Sequence, residues 1–336
     1  MRERTRKKVA TVATLLLTAA LLTGCGSSSS RGSAESEDQF IVAYIAATPF
    51  EDGGWGSNCY AGFKASAEKF DNIKTFEVEN VALENMISAV KQYCDEGADL
   101  ILSPDVDLSD AIAEVAPDYP DVKFAVIDGS YTAENAMSMS QDNAQIGFVA
   151  GVIAALQSET GSVGFVGGVE SEEILKASAT MEAGAKYINP DITFTSVMSG
   201  SWTDVAKGKE IGLSLISQND ADVIFSFASG VDSGVREACA SEGAYFIAQP
   251  DEAMDQAPDI TVTSILQSNE QLIYLAMEAA ANDMFEGIFV KHGFEEGGTC
   301  SLGAYNEFFD ADKQAQVQEV INKIVSGEID VYSYIK

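Results

Sequence analysis

From Phe40 onward the chain alternates short, near-continuous apolar runs with longer stretches whose apolar residues recur every three or four positions. Residues 40–47 (FIVAYIAA), bounded by Thr48-Pro49 and then Gly53-Gly54, predict a buried strand followed by a loop. A helix running through Lys69 should follow, since Tyr60, Phe63, Ala67 and Phe70 share one helical face. The same rhythm predicts strands at 75–79, 98–103 and 122–128, separated by helices at 85–97 and 109–115, with Gly97 suited to a helix C-terminus. It resumes after Asn143: helices at 145–156, 172–188, 203–218 and 231–242 alternate with strands at 162–166, 194–198, 222–227 and 245–248.

Strands that read as unbroken apolar runs between helices belong to parallel sheets covered on both faces. The fold class is therefore α/β, with two doubly wound units and room for a cleft between them. In such sheets ligands sit beyond the carboxyl ends of the strands. Trp202, just past the strand at 194–198, is on that ground a candidate cleft residue, and the following helix has Ser201 or Thr203 as its expected cap. Asp128 ends a strand at the same edge, where its carboxylate could accept hydrogen bonds from ligand hydroxyls or amines. Asp142-Asn143, lying between the two series, reads as a crossover and hinge.

The N-terminus changes the picture. Arg2, Arg4, Arg6, Lys7 and Lys8 precede an apolar run at 9–22 and then Leu22-Thr23-Gly24-Cys25, the pattern of a bacterial lipoprotein signal. About 14 apolar residues fall short of the roughly 20 a spanning helix needs. The expectation is a signal peptide at 1–24, lipidation at Cys25, and a Gly/Ser-rich tether at 25–38 holding the body on the extracytoplasmic face of the cell membrane. The formal charge of −32 grows more negative once the cationic leader is removed, so nucleic acid and anionic lipid are poor partners. With 46% hydrophobic residues the body is a packed globule and not a disordered acidic chain.

Several chemistries lack their residues. Gly208-Lys209 is followed by Glu210, so there is no P-loop. Gly230-Val-Asp-Ser-Gly234 puts Ser233 in the wrong slot for a nucleophile elbow, and His292 is the sole histidine. Cys59, Cys94, Cys239 and Cys300 show no C-x-x-C spacing; outside the cytoplasm they permit two disulfides in any of three pairings. No metal or cofactor is expected. An exported hydrolase using a carboxylate pair leaves no short motif and stays as a minor alternative.

Phe148-Val-Ala-Gly151, Val163-Gly-Phe-Val-Gly-Gly168, Gly184-Ala-Lys186, Asn189-Pro-Asp191, Gly200-Ser-Trp202, Ala206-Lys-Gly-Lys-Glu210 and Glu295-Glu-Gly-Gly298 follow one another in a familiar order. From about Phe40 to its end the chain resembles the basic membrane lipoprotein family of substrate-binding proteins for ABC importers, which includes purine-nucleoside receptors. The resemblance implies a type I periplasmic-binding-protein fold, with two lobes joined by three crossovers and closing on a small ligand. It implies an N-terminal lobe of 39–142 with about 265–292, and a C-terminal lobe of 143–264 with about 293–336. It also implies a monomer that binds without catalysis and hands a solute, by default a purine nucleoside, to a membrane permease. A surface receptor that senses the ligand without transporting it would use the same cleft.

Carried over position by position, the family's stacking aromatic falls on Trp55 in Gly54-Trp55-Gly56-Ser57, with Ser57 beside it and Gly56 where relatives have asparagine. Phe227, in Phe227-Ala-Ser229-Gly230, is the candidate opposite face of an aromatic sandwich, with Ser229 in the same turn. Relatives place Gly-Val-Asp-x-Asp after the strand that ends here at Ala248; this chain reads Gln249-Pro250-Asp251-Glu252, so Gln249 and Asp251 stand near that ligand grip. Gln267 stands where relatives carry lysine.

Overall fold

The structure, a computed structural model, describes residues 39–51 and 55–335. The leader, Cys25 and the tether lie outside the described residues. The first half forms β1 (Phe40–Ile45), α1 (Trp55–Ala67), β2 (Ile73–Val78), α2 (Met86–Asp95), β3 (Leu100–Ser103), α3 (Leu108–Val115), β4 (Lys123–Ile127) and β5 (Ala136–Gln141). The second series runs α4 (Asn143–Gln157), β6 (Ser162–Gly167), α5 (Glu172–Ile188), β7 (Thr193–Met198), α6 (Val205–Asn219), β8 (Val223–Phe227), α7 (Val231–Glu242), β9 (Tyr245–Ala248) and β10 (Thr261–Gln267). The chain then returns through α8 (Asn269–Ala281), β11 (Phe289–His292), β12 (Cys300–Leu302) and α9 (Ala311–Val325).

Two six-stranded sheets result, ordered β11-β5-β4-β3-β1-β2 and β12-β10-β9-β8-β6-β7. All pairings are parallel except β12, which lies antiparallel to β10. Strand residues alternate between the two faces of each sheet: Val42 and Tyr44 pack toward α1 and α8, Ala43 and Ile45 toward α2 and α3. In the second sheet α4, α5 and α9 cover one face, while α6 and α7 cover the other. This is the covered-on-both-faces condition under which β3 and β6 are buried along their whole length.

Glycines set the closest helix contacts. A Cβ built on Gly147 would lie 2.1 Å from the Ala177 carbonyl oxygen, one on Gly151 2.0 Å from that of Met181, and one on Gly184 2.0 Å from that of Phe148. α4 and α5 therefore touch backbone to backbone, and Gly208 lets α6 approach Val231 on α7 in the same way. Much of the glycine pattern at 148–151, 184–186 and 206–210 is a helix-packing pattern.

Three segments carry the chain between the sheets, and they are stitched together. The Asp142 N–H and the Thr299 hydroxyl both donate to the His292 carbonyl, and the Ser268 N–H donates to the Thr299 carbonyl. Gln141 donates to the Asn269 side-chain oxygen at 2.7 Å, and Asn269 donates onward to Asn58 at 2.9 Å. Asp142 caps α4 by accepting from the Gln145 N–H. Ile265–Gln267 still pair with β12, so the return to the first sheet begins after Gln267. His292 lies in this crossover with Nδ1 3.0 Å from Glu295 Oε1.

Other expectations need correction. β5 reads Ala-Met-Ser-Met-Ser-Gln, fully buried yet half polar, and it was not predicted because its serines mimic a loop. Trp55 is the first residue of α1, not a loop residue ahead of it. α6 is capped by Asp204, which accepts from the Lys207 N–H, while Ser201 instead closes the preceding turn by accepting from the Thr203 and Asp204 N–H groups. No disulfide forms among Cys59, Cys94, Cys239 and Cys300: all four are buried free thiols, one in each of the four core clusters. Burial pushes the thiols of Cys239 and Cys300 up to about 12.

Candidate ligand-binding site

The carboxyl edges of the two sheets hold most of the sequence-predicted site residues. On the first sheet, Trp55 follows the loop leaving β1, whose Phe50 ring stacks on Tyr60 with centroids 3.9 Å apart. Its indole Nε1 donates to the Pro104 carbonyl at 2.9 Å, tying the start of α1 to the end of β3, and the residue stays 41% exposed. Asp105 beside it accepts from the Ala47 N–H at 2.7 Å, fixing the β1 and β3 edges together. Ser57 is half-buried in the first turn of α1.

Asp128 stands at the end of β4 with a left-handed φ of 53°, its N–H donating to the Met139 carbonyl. Its side chain reaches solvent, yet protein surrounds it closely enough to hinder hydration of the charge. This partial withdrawal from water pushes its carboxyl up to about 6; Glu173 adds repulsion and Lys291 opposes it. Glu173 opens α5 in the second lobe and Lys291 lies on β11 in the first, so the two lobes meet at this point. Ser140, paired in register with Lys291, has a buried hydroxyl with no partner among the described residues.

On the second sheet, Trp202 lies over Gly168 at the end of β6: a Cβ there would fall 2.2 Å from the indole ring. The Trp202 carbonyl accepts from the Gly230 N–H at 2.9 Å, and the residue is 40% exposed. Phe227 ends β8 half-buried, packed on the core beside Phe225. Ser229 is exposed in a left-handed turn with φ 56°. Gln249 and Gln267 are in contact, the Gln267 amide donating to the Gln249 carbonyl at 2.9 Å. Asp251 is exposed. Its neighbour Glu252 is taken up structurally, accepting from Ser264 and from the Ala253, Met254 and Ala304 N–H groups. Burial alone would raise the Glu252 carboxyl, but these donors outweigh it and hold it below the usual range.

Sequence reasoning missed Glu173, Lys291 and Asp232. Asp232, in the first turn of α7, is buried and accepts from the Ser226 hydroxyl, the Ala228 N–H and the Gln249 amide. The available signal was an acid two residues past the glycine that ends a strand-to-helix turn. Lys291 lies in a stretch past Ala248 where the hydrophobic pattern announces no element.

Two doubly wound parallel sheets joined by three crossovers define a type I periplasmic-binding-protein fold. The chain belongs to the Bmp family, described as ABC transporter substrate-binding protein PnrA-like, which it matches over residues 40–334. It is 28% identical to basic membrane protein A of Borreliella burgdorferi, over 91% of each chain. It is 26% identical to a purine-binding protein of Brucella abortus, over 90% of this chain and 85% of the other. An ABC transporter solute-binding protein from Aeropyrum pernix shares the fold with a TM-score of 0.69 at 20% identity, covering 87% of this chain and 92% of that one. Proteins of this family bind small solutes and work with ABC permeases. Among the described residues no helix is long and apolar enough to cross a membrane.

Proposed function

We propose that this protein is the lipid-anchored binding component of an ABC importer, capturing a purine nucleoside between its lobes on the extracytoplasmic face of the membrane. The observation carrying the ligand class is the pair of solvent-accessible indoles, Trp55 and Trp202, one at the carboxyl edge of each sheet. A flat heterocycle gains by stacking on such rings, whereas polar groups around them serve hydroxyls and ring nitrogens. The purine-binding relative supports the same reading. The membrane attachment rests on the leader and on Leu22-Thr23-Gly24-Cys25. Asp128, Gln249 and Gln267 offer the acceptors and donors; Ser57, Ser229 and Asp251 lie on the same edges, and Phe227 contributes more to the core.

The deciding experiment is a thermal-shift and calorimetric screen of the body from residue 26 against nucleosides, free bases and sugars. Ligand at a hundred times its Kd adds about 2.7 kcal/mol to the stability of a protein that binds it only when folded. A purine nucleoside should raise the melting temperature and be recovered chemically unchanged. A shift with sugars alone would overturn the ligand class; steady turnover would overturn the binding role. Retention of Cys25→Ser in the membrane fraction would overturn the anchor.

A further inference from the structure

The amide of Gln249 is held in one orientation by groups that can only accept. Its Nε2 donates to Asp232 Oδ2 at 2.8 Å and to the Ser226 carbonyl at 3.3 Å, which uses both protons. Flipping the amide would set its oxygen against a carboxylate and a carbonyl. Gln249 Oε1 must then face outward, and it accepts from Gln267 Nε2 at 2.9 Å. That contact fixes the second amide in turn, because a flipped Gln267 would oppose two oxygens. Gln267 Oε1 is left with no partner among the described residues, on a half-exposed side chain where the chain leaves β10 for α8.

We infer that Asp232 is a positioning residue for the ligand site: acting through Gln249, it turns the Gln267 carbonyl toward the ligand and so selects a ligand N–H or O–H at that point. This deepens the proposed function, on which its ligand side rests, by naming the hydrogen-bond sense the solute must supply. Asp232 is the source of the polarity because, once ionised, it has no proton to donate. Burial pushes its carboxyl up to about 6, against the hydrogen bonds from Ser226, Ala228 and Gln249 and the charge of Arg236 one turn along α7. The facing helix α6 meets α7 with Lys209, which pairs with Glu237. Above that range both acceptors hold the relay in one sense; below it, a protonated Asp232 can donate, and only the longer contact to the Ser226 carbonyl still orients the Gln249 amide, so the constraint weakens.

The test has a ligand-free arm and a ligand arm. In the ligand-free protein, the side-chain amide resonances of Gln249 and Gln267 should shift together as pH crosses about 6. Both shifts should vanish in Asp232→Asn; in Gln249→Leu, which keeps the buried acid but has no residue-249 amide to read, the Gln267 resonance should no longer follow pH. A Gln267 signal that is flat in the wild type, or that still titrates in Gln249→Leu, overturns the relay. In the ligand arm, inosine binding to Asp232→Asn should weaken about tenfold at pH 7.5 and differ little from wild type at pH 5. An equal loss at both pH values would make Asp232 merely structural and overturn the positioning role. If inosine and adenosine fail to bind the wild type, the nucleoside reading fails by itself, and the ligand-free titration still decides the relay.

Discussion

Lys291, on the edge strand of the first sheet, and Glu173, in the first turn of α5 in the second lobe, form an ion pair at 3.3 Å. The lysine sits 5.3 Å from the Tyr332 ring centroid, and the glutamate is held from its other side by Lys176 at 2.8 Å. Asp128 lies within the electrostatic influence of both, so two acids from different lobes share the effect of one lysine. The crossovers permit hinge motion, and opening the lobes would separate this pair while leaving the contacts within each sheet intact.

Breaking the pair should therefore shift the lobes more than it destabilises them. Lys291→Met should cost under about 1 kcal/mol of folding stability, since both side chains keep some solvent access and such pairs are screened. It should increase the radius of gyration of the ligand-free protein in small-angle scattering; an unchanged scattering profile would deny the pair any role in lobe position. Burial alone would raise the Glu173 carboxyl, but Lys176 and Lys291 prevail and hold it below its usual range. The contribution is thus present above the ordinary glutamate pKa and fades as pH falls through the lowered one.

Asp128 titrates in the opposite sense. Its folded-state pKa of about 6 exceeds the ordinary value of 3.8, so the folded state binds the proton more tightly. Stability credited to this group falls as pH rises between those two values, and the ionised acid is a net cost above pH 6. Asp128→Asn should accordingly gain on wild type across that window and hold a constant advantage beyond it. Because the carboxylate reaches solvent, the plateau should stay below about 1 kcal/mol. Urea unfolding at pH 4, 5, 6 and 7.5 measures it; a difference that does not vary with pH would exclude the titration of Asp128 as its source.

The glycine pattern makes a prediction about packing. Gly151→Ala places a methyl 2.0 Å from the Met181 carbonyl, a contact that neither backbone can relieve without parting α4 from α5. A loss of more than about 2 kcal/mol in chemical denaturation is expected, with the affinity of the surviving folded protein unchanged. A neutral substitution would show that the two helices can move apart freely.

How much of this was legible in the sequence varied along the chain. The strands at 40–47 and 98–103 announced themselves because burial on both faces demands uninterrupted apolar residues. β5 escaped because Ser138 and Ser140 alternate with methionines, and Ser138 satisfies its hydroxyl locally on the Tyr131 carbonyl. The four thiols could not be sorted by spacing, since their separation into different core clusters is a property of packing alone. Within the site, Trp202 stood out by its position after a strand, and Trp55 by its position together with the family resemblance. Asp232 did not, because its role depends on Gln249 and Gln267 arriving from two other strands.

Trp55 offers the most direct check on the ligand class. Its indole combines two functions that substitution can separate: the Nε1 proton ties α1 to the Pro104 carbonyl, and the exposed ring offers a stacking face. Trp55→Phe removes the first and keeps most of the second, so it should lower stability by about 1 kcal/mol while largely retaining nucleoside affinity. Trp55→Ala removes both. It should show the same modest stability loss, and in addition a loss of about 1 to 3 kcal/mol in binding, the usual scale for a base resting on an aromatic ring. Calorimetry with the nucleoside found by screening separates the two effects. Equal affinity in Trp55→Ala and wild type would remove Trp55 from the site and leave the indole as a tether between α1 and the end of β3; equal weakening in both variants would mean that the Pro104 bond, not stacking, prepares the site.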